Sequence, residues 1–270
     1  MKQKICVIGC GWLGLPLAKS MIKKDFFVKG STTSFEKISI LNSHEIKGFL
    51  VQLSSEGITG DIEDCLSDCE TLVLNIPPGL RKNPEANYVK QMQHILPYVE
   101  ASSIKNVLFV SSTSVYDDHE LCPVISETSQ TSKTSNVAQQ IVAVEELFQN
   151  NVNFKTTVLR FSGLFGVDRH PAKFLSGRQN IKDPEAPINL IHLNDCVAII
   201  EKIIEENAWN DTFNASSTDH PTKQKYYTMV CKAQNLPLPI FDNTLKSKGK
   251  IIDSTKLARV LDYSFEIKLQ

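Results

Sequence analysis

The sequence predicts an α/β fold: a doubly wound parallel sheet with a smaller C-terminal lobe. Three observations predict it. Short, continuously apolar runs alternate with helical patterns as far as Phe161, as strands buried on both faces and joined by crossover helices require. A glycine-rich turn links the first run to the first helix. Beyond Gly163 the alternation gives way to loops rich in Pro, Asn and Gly.

The elements follow in order. Residues 5–8 form the first strand, stopped by Gly9, and the helical pattern of 12–24 follows. A second strand at 26–29 leads through a polar stretch to a helix at 35–42 and a strand at 49–53. A helix at 62–69 precedes the apolar strand 71–76, and a helix spans 84–101. The fifth strand is 106–110, the long helix 137–149 follows, and 155–161 is the sixth strand. This gives a large domain at 1–162 and a smaller lobe at 163–270 with short helices such as 195–206, some segments returning to the sheet.

The 270 residues are 41% hydrophobic and 22% charged, which excludes a disordered or collagen-like chain. Lys plus Arg is 29 and Asp plus Glu is 30, a net charge of -1, so nothing electrostatic points to nucleic acid or an anionic membrane. The 7 cysteines are odd in number and scattered. Cys6/Cys10 and Cys65/Cys69 are spaced C-x-x-x-C, unlike zinc or redox motifs. They read as reduced, mostly buried thiols of a cytoplasmic protein without a metal. Residues 5–18 carry no charge, but the apolar run before Gly9 is far short of a signal's hydrophobic region, and no run is long enough to span a bilayer.

The strongest local signal is Gly9-Cys10-Gly11-Trp12-Leu13-Gly14, a G-x-G-x-x-G between strand and helix. Gly9 permits the tight turn, Gly11 lets a diphosphate approach the backbone, and Gly14 lets the helix close on the sheet. The amides at Trp12 and Leu13 then face the anion, aided by the helix dipole. A nicotinamide dinucleotide is the expected ligand. Its ribose is usually held by an acid after the second strand, yet no acid lies between Asp25 and Glu36. Ser31, Thr32, Thr33 and Lys37 stand there instead, which favours NADP over NAD; the alternative is a polar loop capping the next helix. Ile76-Pro77-Pro78-Gly79 closes the fourth strand and either lines the coenzyme or is simply a rigid turn. Cys10 sits at a helix start, where a thiol's pKa falls, or else points into the core.

With this turn, the strand and turn from Val107 to Tyr116 and the segment from Ile188 to Asp195 resemble the extended short-chain dehydrogenase/reductase superfamily, the NAD-dependent epimerase/dehydratase group. Leu159 to Gly166 looks like that group's sixth strand and loop. Within it, the Cys-Gly-Trp-Leu-Gly turn and the Pro-Pro-Gly look most like its short bacterial members. The resemblance implies a Rossmann domain, a small substrate lobe, frequent homodimers and hydride transfer at a bound nicotinamide. It implies that Ser112 bonds the reacting oxygen, with Ser111 beside the coenzyme. Tyr116 is a candidate acid or else a turn aromatic. Asn189 and His192 match the segment that returns to the cleft, and Asp195 reads as a helix cap. Arg160, Arg169 and Arg178 are candidates to grip an anionic substrate.

One departure is marked. The group's Tyr-x-x-x-Lys pair falls on Val137 and Ile141, neither of which transfers a proton. Two functions therefore stand: an oxidoreductase or epimerase acting on a carbonyl or nucleotide-sugar-like small molecule, and a catalytically inactive NADP-binding sensor or scaffold. A nucleotide-sugar dehydrogenase is disfavoured, because the chain is too short for a second domain.

Overall fold

The computed structural model describes residues 2–80, 83 and 85–269. Its main sheet contains β1 (Lys4–Ile8), β2 (Phe27–Thr32), β3 (Lys47–Ser54), β4 (Gly57–Gly60), β5 (Thr71–Leu74), β6 (Asn106–Ser112), β8 (Lys155–Phe161) and β11 (Thr212–Ala215). The spatial order is β11-β8-β6-β5-β1-β2-β3-β4, parallel throughout except for the β3–β4 hairpin. From β1 the chain winds outward through β2 and β3, then returns across to β5 and continues the other way. The reversal leaves a crevice at the carboxyl ends of β1 and β5, where ligands of such sheets bind.

Helices cover both faces. On one lie α1 (Gly14–Lys23), α2 (Glu36–Ser43), α7 (Leu193–Glu205) and α9 (Thr255–Val260); on the other α3 (Ile62–Leu66), α4 (Tyr88–Ala101) and α5 (Asn136–Gln149). The strand period divides the two cores. Ile5 and Val7 of β1 join Leu17 and Met21 on the first face, while Cys6 and Ile8 join Met92 and Ile95 on the second. Helix α7 places Ile199, Ile200, Ile203 and Ile204 in the first core, each such burial stabilising by roughly 1.5–3 kcal/mol.

Two small parallel pairs flank the sheet. These are β7 (Val124–Ile125) with β12 (Ile251–Ile252), and β9 (Gly163–Phe165) with β10 (Leu190–His192). With α6 (Ala172–Leu175) and α8 (Lys223–Ala233), β9 and β10 border a separate core around Phe165, Tyr226 and Tyr227. Within 163–270, α7 and β11 therefore belong to the main sheet layer, β11 pairing with β8 from Thr212↔Val158 to Ala215↔Phe161.

Several elements differ from the sequence reading. Strand β2 runs on to Thr32 because Ser31 and Thr32 pair with Phe49 and Leu50 of β3, a register that polar side chains conceal. Strand β4 was not anticipated; it has two glycines in four residues and exists through its pairing with β3. Helix α3 stops at Leu66, where the buried Lys29 ammonium donates to the carbonyls of Asp64 and Ser67. Helix α4 is described from Tyr88; Pro84, its expected start, lies outside the described residues. Among the described residues no helix is long and apolar enough to cross a membrane, and no three His, Cys, Asp or Glu side chains gather as metal ligands.

Candidate functional site

The glycine turn is built from both sides. Gly9 has φ +100°, and a Cβ there would stand 2.2 Å from the Asn75 carbonyl oxygen. A Cβ on Gly14 would stand 2.2 Å from the Gly9 oxygen, so the close approach of α1 to β1 requires glycine. The Gly9 N–H donates to Ser31 Oγ and the Cys10 N–H to the Ser31 carbonyl, both at 2.9 Å. Asn75 Nδ2 donates to the Gly9 oxygen at 3.0 Å. Gly11 differs, since a Cβ there would meet nothing within 4 Å. The backbone N–H groups of Trp12 and Leu13 have no partner among the described residues, and the first turn of α1 holds no acid. Two unused donors and a bare backbone thus stand at the positive end of a helix.

They border a cleft of about 380 Å³ at the crevice between β1 and β5. Of the residues expected near a coenzyme, Gly9, Gly11, Trp12, Leu13, Ser31, Thr32, Thr33, Lys37, Ile76 and Pro77 line it, while Gly14, Pro78 and Ser111 do not. Val51, Leu53 and Asn75 also line it, unanticipated by the sequence reading; Asn75 could have been found, since it ends the fourth strand. Arg169, expected to grip substrate, stands here instead. Among the described residues the lining holds two cations, Lys37 and Arg169, and no acid, which suits a polyanion. Ser31 and Thr32 are not loop hydroxyls; both are buried, with Ser31 Oγ engaged by Gly9 and Thr32 Oγ1 by the Ser34 N–H. Only Thr33 and Lys37 of that group are exposed.

A second cleft, of about 410 Å³, collects Ser112 and Asn189. Ser112 Oγ accepts the Ser114 N–H at 3.1 Å, leaving its own proton for another acceptor. Three lysines that the sequence reading passed over, Lys223, Lys248 and Lys250, line this cleft with Asp118 and Tyr227. Lys250 Nζ donates to the Tyr116 carbonyl and to Asp118 Oδ1, each at 2.8 Å. Burial holds the Tyr227 phenol above its ordinary pKa. Asn189 donates to the Lys250 carbonyl and accepts the Ile252 N–H, both at 2.8 Å, so its amide ties β12 to the lobe.

Several expected roles are corrected. Arg160 is buried, donating through Nε and Nη2 to Glu145 and through Nη1 to Tyr116 Oη, so it cannot grip a substrate. Tyr116 is 2% exposed, donates to Asn214 Oδ1 at 3.0 Å and is raised in pKa by burial, which removes it as an acid at the cleft. Ser111 is buried with its hydroxyl on Glu145, because strand alternation sends it away from the face that presents Ser112. His192 caps α7, its Nδ1 accepting the Asn194 N–H at 3.2 Å. Asp195 is not that cap; it is buried and accepts from Tyr263 Oη and the Glu266 N–H. Arg178 is exposed and lines neither cleft. Val137 is half-buried and Ile141 buried against Val115, Tyr116 and Ile252. Cys10 points inward, its Sγ filling the space over Gly30, and burial pushes its thiol up to about 12, so no reactive thiolate stands in the turn.

Sheet order and crevice define a Rossmann-like α/β protein of the kind seen in NAD-dependent epimerase structures. No family model matches the chain. The chain is 29% identical over 266 residues to Protein YeeZ of Escherichia coli (strain K12), covering 98% of this chain and 96% of that protein. Among solved structures it is similar to UDP-N-acetylglucosamine 4-epimerase from Bacillus cereus, with TM-score 0.78, 18% identity, 99% of this chain and 93% of that one. UDP-glucuronic acid 4-epimerase from Bacillus cereus in complex with NAD gives TM-score 0.78 at 16% identity, with 99% and 93% covered. MoeE5 in complex with UDP-glucose and NAD gives the same score and identity, with 99% and 94% covered. At such identities the likeness is one of fold.

Proposed function

We propose that the chain binds a nicotinamide dinucleotide in the glycine-turn cleft, NADP(H) in preference to NAD(H), and acts on a carbonyl-bearing or nucleotide-sugar-like small molecule held in the Ser112 cleft. The observation that carries the first part is the contrast between Gly11 and its neighbours. Gly9 and Gly14 are glycine because the protein's own backbone fills the space beside them, whereas the space beside Gly11 is open and flanked by the free Trp12 and Leu13 amides. That is the shape of a diphosphate cradle. The preference for NADP(H) rests on Lys37 and Thr33 at the end of β2, with no acid in the lining to hold a ribose 2′-hydroxyl or repel a 2′-phosphate.

A bound nicotinamide would supply a carrier for two electrons and a proton. The residues of this chain position and polarise. Ser112, fixed by the Ser114 amide, has its hydroxyl proton free to donate to a carbonyl oxygen. Lys250 lies in the same cleft, immobilised by Asp118 and the Tyr116 carbonyl, and adds an ammonium group to its lining. The hydroxyl and ammonium groups gathered in this cleft support a small-molecule reaction over an inactive sensor.

Titration with NADPH and NADH tests the coenzyme reading. NADPH binding more tightly than NADH, with Lys37→Ala narrowing the gap by about ten-fold, is the expected result. Absence of binding by either refutes it.

A further inference from the structure

We infer that Arg169, on the loop between β9 and α6, closes over the diphosphate of a dinucleotide in the glycine-turn cleft; this rests on the reading that the cleft takes a dinucleotide. The loop is built for the position. Gly166 and Arg169 exchange backbone hydrogen bonds, the Gly166 N–H to the Arg169 oxygen at 2.9 Å and the Arg169 N–H to the Gly166 oxygen at 3.2 Å. This closed turn is docked on Trp12. The indole Nε1–H donates to Asp168 Oδ1 at 3.0 Å, and a Cβ on Gly166 would come within 2.9 Å of the indole ring. The Arg169 guanidinium lies over the same ring, 5.0 Å from its centroid.

Trp12 is thus both the residue with an unused amide at the turn and the platform that aims the arginine. Stacking on an indole restrains a guanidinium without neutralising it. The Arg169 side chain has no hydrogen bond or ion pair among the described residues, while its neighbour Asp168 is engaged by Trp12. A planar fork of N–H donors, free and pre-aimed at the border of the cleft, suits the bidentate geometry of phosphate oxygens. The backbone amides beside it carry only partial charge, whereas a diphosphate linker is doubly negative. Lys37 follows β2 and Arg169 follows β9, so the two cations reach the cleft from different elements.

The test is calorimetric titration of the wild type, Arg169→Gln and Arg169→Lys with NADPH and with NADH. For whichever dinucleotide the wild type binds, Arg169→Gln is expected to weaken affinity by about ten- to a hundred-fold, as removal of a charge-assisted contact does. The factor is the same for the two when both bind, because both carry the diphosphate. Arg169→Lys recovers part of the loss, a point charge replacing the fork. Since Arg169 is exposed, the thermal midpoint of the free variants stays at the wild-type value. Affinity of Arg169→Gln within two-fold of wild type overturns the inference while leaving the dinucleotide reading intact. A loss confined to NADPH also overturns it, assigning the arginine to the 2′-phosphate. Wild-type protein that binds neither dinucleotide overturns both together.

Discussion

Replacing Gly11 and Gly9 by alanine separates what the turn does for the fold from what it does for a ligand. At Gly9 the added methyl would stand 2.2 Å from a backbone oxygen of Asn75 and would have to adopt φ +100°. Left-handed strain costs about 1–3 kcal/mol and a forced overlap about as much again. Gly9→Ala is therefore expected to lose on the order of 2–5 kcal/mol of stability. At Gly11 the methyl meets nothing within 4 Å and φ is ordinary, so the free protein keeps its stability or gains about 0.4–1 kcal/mol from a less flexible unfolded chain. The same methyl would fill the space through which, in the proposed mode, a diphosphate would reach the Trp12 and Leu13 amides. Losing one such charge-assisted contact is worth about 1.5–3 kcal/mol, or roughly ten- to a hundred-fold in affinity. Urea unfolding of the free variants gives the stabilities, and fluorescence titration with NADPH gives the affinities. If Gly11→Ala binds NADPH as wild type does, the cradle is not where the coenzyme sits. A loss of stability at Gly11 matching that at Gly9 would show instead that the space is structural.

Arg160→Ala leaves the Glu145 carboxylate buried without its partner, a change that costs about 3–5 kcal/mol; urea unfolding should show this, and an undiminished midpoint would contradict the paired geometry. Ser112→Ala is expected to leave NADPH affinity within two-fold and to lower turnover of responsive carbonyl substrates by about a hundred-fold; unchanged turnover removes Ser112 from the chemistry. Burial lowers the pKa of His170 and His220 in the folded protein. The unfolded chain therefore binds more protons as pH drops through about 6.5, and stability falls with it. Thermal midpoints between about pH 7.5 and 5.5 should decline, and less so in His170→Gln/His220→Gln; a midpoint that rises on acidification contradicts the assignment.

Much of this architecture is legible in the residues because it is local. Apolar runs ending in glycine, and an apolar face on each helix, arise from periodicities of two and 3.6 that the chain displays directly. The glycine turn belongs to the same class. What stayed hidden depends on partners distant in sequence. Ser111 and Ser112 are indistinguishable until the strand's facing is known; then one meets Glu145 and the other a cleft. Arg160 looks like a free cation until Glu145 and Tyr116 are seen beside it, 15 and 44 residues away. Lys250 reaches Asp118 across 132 residues, a link that no window on the sequence contains. Strands β4 and β11 likewise owe their form to the neighbours they pair with rather than to their own residues.

Ser31 has a consequence for redesign. Its hydroxyl and carbonyl both hold the bend that follows β1, one on Gly9 and one on Cys10. A carboxylate installed there to recruit the hydroxyls of an unphosphorylated ribose would unpick the loop it was meant to assist. If the cleft takes a dinucleotide as proposed, a change of nucleotide preference is better begun two residues on, at Thr33, where the side chain is exposed and its hydroxyl has no partner among the described residues.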